Sequence, residues 1–139
     1  MKQPPDDDLH GLANGISPHK SRPGLIRIWR ALFYSLAGLR AAWSEESAFR
    51  QEVALAAVLL PAAVLVPASL TQKALLVGCV MLVLVTELVN SAVECTVDRI
   101  SLEDHALARR AKDIGSAAVF IALANLAIVW ALVLADVFL

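Results

Sequence analysis

The sequence has few of the residues that build several common kinds of functional site. Its two cysteines, Cys79 and Cys95, lie inside apolar segments without metal-ligand spacing, so we expect neither a zinc site nor a disulfide framework. The formal net charge of −1 gives no reason to expect nucleic-acid binding. No GxxxxGKS/T loop and no HRD or DFG element occurs, which excludes the phosphate-binding motifs of P-loop proteins and protein kinases.

Apolar residues, in contrast, are abundant. They make up 58% of the 139 residues, whereas soluble domains contain about 45–50%. This composition is typical of a membrane protein. Residues 1–23 are polar and rich in proline, glycine and aspartate, and they contain no apolar run of the kind that a signal peptide needs. We therefore predict that they form a cytoplasmic tail without fixed structure.

Residues 24–139 contain four helical patterns, which predict a single all-α membrane domain. The first pattern repeats leucine, isoleucine and tryptophan at helical spacing but is interrupted by three arginines. It predicts an amphipathic helix on the membrane surface. The other three are apolar enough to span a bilayer, and a charged loop separates the last two. The predicted ranges are 24–43 for the surface helix and 47–68, 71–99 and 113–137 for the spans.

Lysine and arginine predict the orientation of the spans. Seven of the twelve precede the charge-free part of the first span, and four lie between the second and third spans. Only Lys73 lies in the other loop. The positive-inside rule then places the N-terminus and the charged loop in the cytoplasm and the C-terminus outside. Because three spans enclose little space for polar side chains, we also expect a homo-oligomer.

The second predicted span contains polar residues where a membrane helix is normally apolar: Glu87, Asn90, Glu94 and Asp98. At about 100° per residue, all of them fall within one narrow arc of the helix. Ionisable residues in a span cost about 2.5–3.5 kcal/mol each on insertion scales. That cost favours a functional site over a stripe that only holds an oligomer together. Glu87 lies deepest and suits a general base or a proton carrier.

Other charged residues gather at the same predicted membrane face. Glu45 and Glu46 precede the first span, and Lys112 and Asp113 begin the last one. Carboxylates bind Mg²⁺ and a lysine offsets phosphate charge, so these residues suit a metal and an anionic cosubstrate. Two classes remain open, an interfacial membrane enzyme and a proton- or cation-coupled transport subunit. Residues 74–85 offer no polar path to the far side, which favours the enzyme.

The segment ELVNSAVECTVDR, residues 87–99, resembles the signature of the prokaryotic diacylglycerol kinases at every fixed position. RAKDIGSAAV and GLRAAWSEESAFRQE resemble two further blocks of that family, and the resemblance extends from about residue 24 to the C-terminus. It implies a homotrimer in the bacterial inner membrane, with a surface helix and three transmembrane helices per subunit. The implied reaction is the phosphorylation of diacylglycerol by ATP, with Mg²⁺, to phosphatidic acid. Undecaprenol kinases share the signature, so this lipid remains an alternative substrate.

The resemblance also implies roles for individual residues. Glu87 matches the catalytic base, and Glu46 and Glu94 match metal-binding glutamates. Asn90 and Asp98 match residues that support the site. Nucleotide-binding positions are matched by Arg27, Tyr34, Glu46, Glu94, Glu103, His105, Lys112 and Asp113. Lipid-contacting positions are matched by Ala31, Ser35, Arg40, Trp43, Ala48, Phe49, Arg50, Glu52, Glu87 and Ser116.

Overall fold

The computed structural model describes residues 24–100 and 106–139, and their regular structure is entirely helical. Three of the helices are long and apolar enough to cross a membrane, which confirms the predicted all-α architecture with three helices that could span a bilayer. The predicted tail, residues 1–23, lies outside the described residues. The helices are α1 (Gly24–Glu45), α2 (Ser47–Leu65), α3 (Leu70–Ile100) and α4 (Ala106–Phe138).

The chain divides into two compact units, Met1–Leu36 and Ala37–Leu139. The described part of the first unit belongs to α1, and its apolar side chains are exposed, including Ile28 at 67% and Phe33 at 64%. The Phe33 ring lies 6.1 Å from the Trp29 ring, centroid to centroid. An exposed apolar surface on a helix that also contains arginines suits a membrane surface. That location stays a prediction.

Within the second unit, α3 packs against both α2 and α4. The three spans meet in an apolar core formed by Ala63 of α2, Leu76 of α3 and Val133 of α4. Ala63 and Leu76 are completely buried. This core lies near the C-terminal ends of α2 and α4 and the N-terminal end of α3, and we call it the Leu76 end. We call the opposite end of α3 the Asp98 end.

Hydrogen bonds join the helices at the Leu76 end. Ser69 and Gln72 form a capping box at the start of α3, in which each backbone N–H donates to the other residue's side-chain oxygen, at 2.8 and 3.3 Å. The Gln72 amide also donates to Asp136 of α4 at 2.7 Å. The Lys73 ammonium donates to the carbonyl of Val64 in α2 at 2.7 Å. These bonds satisfy polar groups at helix ends, where intrahelical partners are missing.

Two helix boundaries differ from the prediction by three residues or more. α4 begins at Ala106 rather than at residue 113, because the charged segment ALARRAKD consists largely of strong helix formers. Lys112 and Asp113 are therefore inside the helix and do not open it. α2 ends at Leu65 rather than at residue 68. Pro67 disfavours helical geometry at the preceding residue, and Val66 accordingly has φ −59° and ψ 134°.

Replacing Leu76 by alanine tests the apolar core. The change leaves a cavity where the three spans meet, and we expect the free energy of unfolding to fall by about 2–5 kcal/mol. Leu75→Ala is the matched control, because Leu75 is 54% exposed and its removal opens no cavity. Both variants are compared with the unchanged chain by thermal and denaturant unfolding in the same detergent. Equal losses for the two variants would show that this core does not stabilise the bundle.

Candidate active site

One buried stripe of α3 contains both the apolar core and the polar residues of the site. Buried residues of this stripe follow one another at intervals of four, three, four and three residues: Leu76, Val80, Val83, Glu87 and Asn90, with Cys79 buried beside Val80. This spacing keeps side chains on one side of a helix that packs against its neighbours. Glu87 is 3% exposed and Asn90 is 9% exposed. The structure therefore places the deepest predicted acid on the packed face of α3.

Two further carboxyl groups of the same chain lie near Glu87. Glu46 and Glu94 are close enough to Glu87 for their charges to repel it. Glu46 occupies the N-cap position of α2 with an extended backbone, φ −102° and ψ 114°. This conformation separates α1 from α2 and leaves Glu46 in the turn between them. A single chain thus brings together the predicted base and both predicted metal-binding glutamates.

Glu52 belongs to the same cluster. It is 8% exposed, and its charge interacts with that of Glu87. Among the described residues, its Oε2 atom has no hydrogen-bond donor. Its inward position was not predicted, although the buried residues of α2 indicate it in retrospect. Phe49, Glu52, Ala56 and Ala63 follow at intervals of three, four and seven residues, which is the pattern of one helix face.

Asn90 connects the buried part of the site to Glu94. Its Nδ2 donates a hydrogen bond to Glu94 Oε1 at 2.9 Å, one helical turn further along α3. A carboxylate that accepts such a bond has a restricted rotation, which is how outer residues orient metal ligands. This geometry agrees with the supporting role implied for Asn90.

The polar arc of α3 becomes accessible toward the Asp98 end. Glu94 is half-buried, and the Asp98 side chain is 64% exposed. Asp98 forms an ion pair with Lys112 of α4, with an Nζ–Oδ1 distance of 2.6 Å. Asp113, next to Lys112, is exposed. The site therefore extends from an enclosed carboxyl at Glu87 to exposed charges of both signs near the end of α3.

Several predicted lipid-contacting residues lie at the junction of α1 and α2. The Arg50 guanidinium donates to the carbonyl oxygens of Trp43 at 2.9 Å and Ser44 at 3.4 Å. Arg50 thereby satisfies carbonyls at the end of α1 that lack helical partners. Phe49 is buried, at 5% exposure. Of the other predicted lipid-contacting residues in the second unit, Glu52 and Glu87 are buried, whereas four are exposed: Arg40, Trp43, Ala48 and Ser116.

Other predicted residues belong to the first unit or lie outside the described residues. Arg27, Ala31, Tyr34 and Ser35 belong to the first unit, where all four are exposed. The Ser35 hydroxyl donates to the Ala31 carbonyl within α1 at 3.0 Å. The predicted nucleotide contacts Glu103 and His105 lie outside the described residues.

The carboxylates of the cluster are suited to a metal that is shared with a substrate. Within residues 24–100 and 106–139, no group of three or more histidine, cysteine, aspartate or glutamate side chains could hold a metal ion by itself. Mg²⁺ is commonly bound by one or two carboxylates together with substrate phosphates. Glu46 and Glu94 provide two carboxylates next to Glu87. This set fits Mg²⁺ bound jointly with a nucleotide and does not fit an all-protein metal cage.

The fold and the site together define a helical membrane protein with a carboxylate cluster that opens at one end of its spans. The family model of prokaryotic diacylglycerol kinase matches residues 33–134. The chain is 51% identical to the diacylglycerol kinase of Pseudomonas aeruginosa over 85% of its own length and 96% of the relative's. It is 46% identical to the diacylglycerol kinase of Escherichia coli, over 80% of its own length and 91% of the relative's. It is also 46% identical to that of Haemophilus influenzae, over 77% of its own length and 91% of the relative's. The chain belongs to the prokaryotic diacylglycerol kinase family.

Replacing Glu52 by glutamine tests whether a partner stabilises the charge of its buried carboxyl group. The amide has nearly the same shape but no charge, so the change removes both the burial cost and the repulsion with Glu87. We expect the unfolding temperature at pH 8 to rise by about 2–5 °C. Glu45→Gln, at an exposed position, should leave it unchanged. A lower unfolding temperature for Glu52→Gln would show that the charge is stabilised by a partner.

Proposed function

We propose that this chain transfers the γ-phosphoryl group of ATP to diacylglycerol and forms phosphatidic acid at the membrane surface. The observation that supports this most directly is the burial of Glu87 in a predicted span, 3% exposed, with Glu46 and Glu94 beside it. A base at that depth suits a hydroxyl that stays in the bilayer. The relatives named above are diacylglycerol kinases, which agrees with this substrate.

Glu87 is the proposed general base. Its carboxylate would accept the proton of the lipid hydroxyl as the hydroxyl oxygen bonds to the γ-phosphorus. The bond between the γ-phosphorus and the β–γ bridging oxygen breaks, and ADP leaves. Glu46 and Glu94 would hold Mg²⁺, which neutralises phosphate charge when it is bound with ATP. The transfer depends mainly on positioning and electrostatics, so that few protein groups are needed.

Lys112 and Asp113 are the proposed nucleotide contacts of α4. Lys112 pairs with Asp98 at 2.6 Å, which holds its ammonium at the accessible end of the polar arc. There it would offset charge on the ATP phosphates. We propose further nucleotide contacts at Arg27 and Tyr34 of α1 and at Glu103 and His105, because these positions resemble nucleotide-binding positions of the family. Lipid contacts are proposed for ten residues: Ala31, Ser35, Arg40, Trp43, Ala48, Phe49, Arg50, Glu52, Glu87 and Ser116.

The proposed orientation places the Asp98 end in the cytoplasm, where ATP is available. Arg99, Arg109, Arg110 and Lys112 flank this end, as the positive-inside rule requires of a cytoplasmic loop. The protein would be a homotrimer of the bacterial inner membrane with α1 on the cytoplasmic surface. An apolar groove along α3 supports contact with a neighbouring subunit. Its lining residues are Val85, Leu88, Val89, Ala92, Val93, Thr96 and Val97.

A transport path through the bundle is not supported by the buried stripe of α3. Beyond Glu87, toward the Leu76 end, the buried residues of α3 are Val83, Val80, Cys79 and Leu76. The three aliphatic side chains can neither bind a cation nor transfer a proton, and the Cys79 thiol donates a hydrogen bond to the Leu76 carbonyl at 3.1 Å. The polar arc therefore ends at Glu87, which agrees with a reaction performed from one membrane face.

A phosphorylation assay on the purified protein tests the proposed function. Radiolabelled ATP and Mg²⁺ are supplied in mixed micelles that contain either diacylglycerol or undecaprenol. We expect label in phosphatidic acid and at most a trace in the undecaprenol product. Label mainly in undecaprenyl phosphate would change the substrate, and unlabelled lipid in both arms would reject the kinase function.

Glu87→Gln tests the proposed base. Glutamine keeps the size of the side chain but cannot accept the proton, so we expect kcat to fall by at least about 100-fold. Binding of a non-hydrolysable ATP analogue should stay within about twofold, since the contacts proposed for the nucleotide are unchanged. Glu45→Gln, at an exposed position outside the cluster, is the control and should keep full activity. Full activity of the Glu87→Gln variant would assign the proton to another group.

A further inference from the structure

Gly115 of α4 lies directly against the side chain of Asn90. A Cβ atom at this position would overlap Asn90 Oδ1 and would lie 3.3 Å from Asn90 Cγ. No rotation of the alanine methyl relieves this overlap, because the Cβ position is fixed by the backbone. Only glycine therefore allows α4 to approach the Asn90 amide this closely, as small residues do where membrane helices pack.

The contact determines which way the Asn90 amide points. Its Oδ1 faces Gly115 and is buried, with no hydrogen-bond donor among the described residues. Its Nδ2 faces along α3 and donates to Glu94 Oε1 at 2.9 Å. An added methyl at Gly115 would push Oδ1 away and rotate the whole amide. The hydrogen bond to Glu94 would then be lost, because both atoms belong to one planar group.

We propose that Gly115 is a positioning residue, which acts through the Asn90 amide to hold the Glu94 carboxylate ready for a divalent cation. The inference rests on the proposed function, in which Glu94 is a metal ligand. Gly115 touches neither metal nor substrate in this role. Its effect passes through one steric contact and one hydrogen bond, and residues that orient a ligand in this way typically change metal affinity by about 10–100-fold.

The chain provides a matched control in Gly78. This glycine is also within a membrane helix, and apart from adjacent residues and the nearby backbone of its own helix, no atom of the described chain lies within 4 Å of a Cβ added there. Gly78→Ala and Gly115→Ala are thus the same chemical change, with and without a neighbour to displace. In a helix interior, glycine to alanine is otherwise stabilising.

A double-mutant cycle on the full-length protein in micelles tests the proposal. The variants are Gly115→Ala, Asn90→Ala and the two combined, with Gly78→Ala as the control. Free Mn²⁺ is measured by electron paramagnetic resonance in the presence of a non-hydrolysable ATP analogue, so that no turnover is needed. Thermal unfolding of each variant reports on packing independently of the metal.

We expect Gly115→Ala to raise the Mn²⁺ dissociation constant by about tenfold or more, and Asn90→Ala to do the same. The double variant should match Asn90→Ala alone, because both changes break the same link. Removal of the Asn90 amide should also restore the unfolding temperature that Gly115→Ala lowers. Gly78→Ala should bind Mn²⁺ like the unchanged chain.

The proposal would be overturned if the double variant raised the Mn²⁺ dissociation constant by the product of the two single effects. It would also be overturned if Gly115→Ala bound Mn²⁺ with unchanged affinity, or if the unchanged chain bound no Mn²⁺. If Gly115→Ala alone does not fold, the proposal is supported by a double variant that folds and has the same Mn²⁺ affinity as Asn90→Ala. A double variant that also fails to fold, or that binds Mn²⁺ more weakly than Asn90→Ala, overturns the proposal. The proposed function fails separately, by absence of lipid phosphorylation in the unchanged chain.

Discussion

Burial of a carboxyl group in a membrane-spanning helix is the constraint on which the rest of this structure depends. Hydrocarbon cannot solvate a carboxylate, so Glu87 has to face protein rather than lipid. α3 meets this requirement by placing Glu87 and Asn90 in the same stripe as Leu76, Val80 and Val83, which packs against the neighbouring helices. The packing that stabilises the bundle therefore also fixes the direction of the site. A rotation of α3 about its axis would expose its acidic side chains and its apolar core residues together.

The two ends of the bundle differ in how they are held. At the Leu76 end, apolar side chains of three helices meet, and Gln72 and Lys73 bond to α4 and α2. At the Asp98 end, the Lys112–Asp98 ion pair joins α3 and α4 between exposed side chains. Surface ion pairs contribute little to stability. The apolar end thus supplies the rigid framework, and the polar end remains accessible to a charged ligand, as preorganised sites require.

The features predicted from sequence are those that one helix determines alone. The apolar lengths of α2, α3 and α4 and the arc of Glu87, Asn90, Glu94 and Asp98 follow from composition and the helical repeat. The proximity of Glu52 to Glu87 and of Gly115 to Asn90 depends on how two helices approach each other, which no single repeat encodes. α4 begins at Ala106, before the predicted residue 113, because apolar length marks only the part of a helix that can lie in the bilayer, whereas charged residues also form helices.

On the proposed function, the depth of Glu87 also explains how a kinase avoids transferring phosphate to water. Glu87 and Glu94 are about 10 Å apart along α3, at a rise of 1.5 Å per residue. The nucleotide would approach from the accessible Glu94 side and the lipid hydroxyl from the enclosed Glu87 side. Glu87 is 3% exposed, so few water molecules can reach the base that would activate them. Water would be excluded at the proposed base and admitted at the phosphates, and both conditions would follow from one gradient of burial along a single helix.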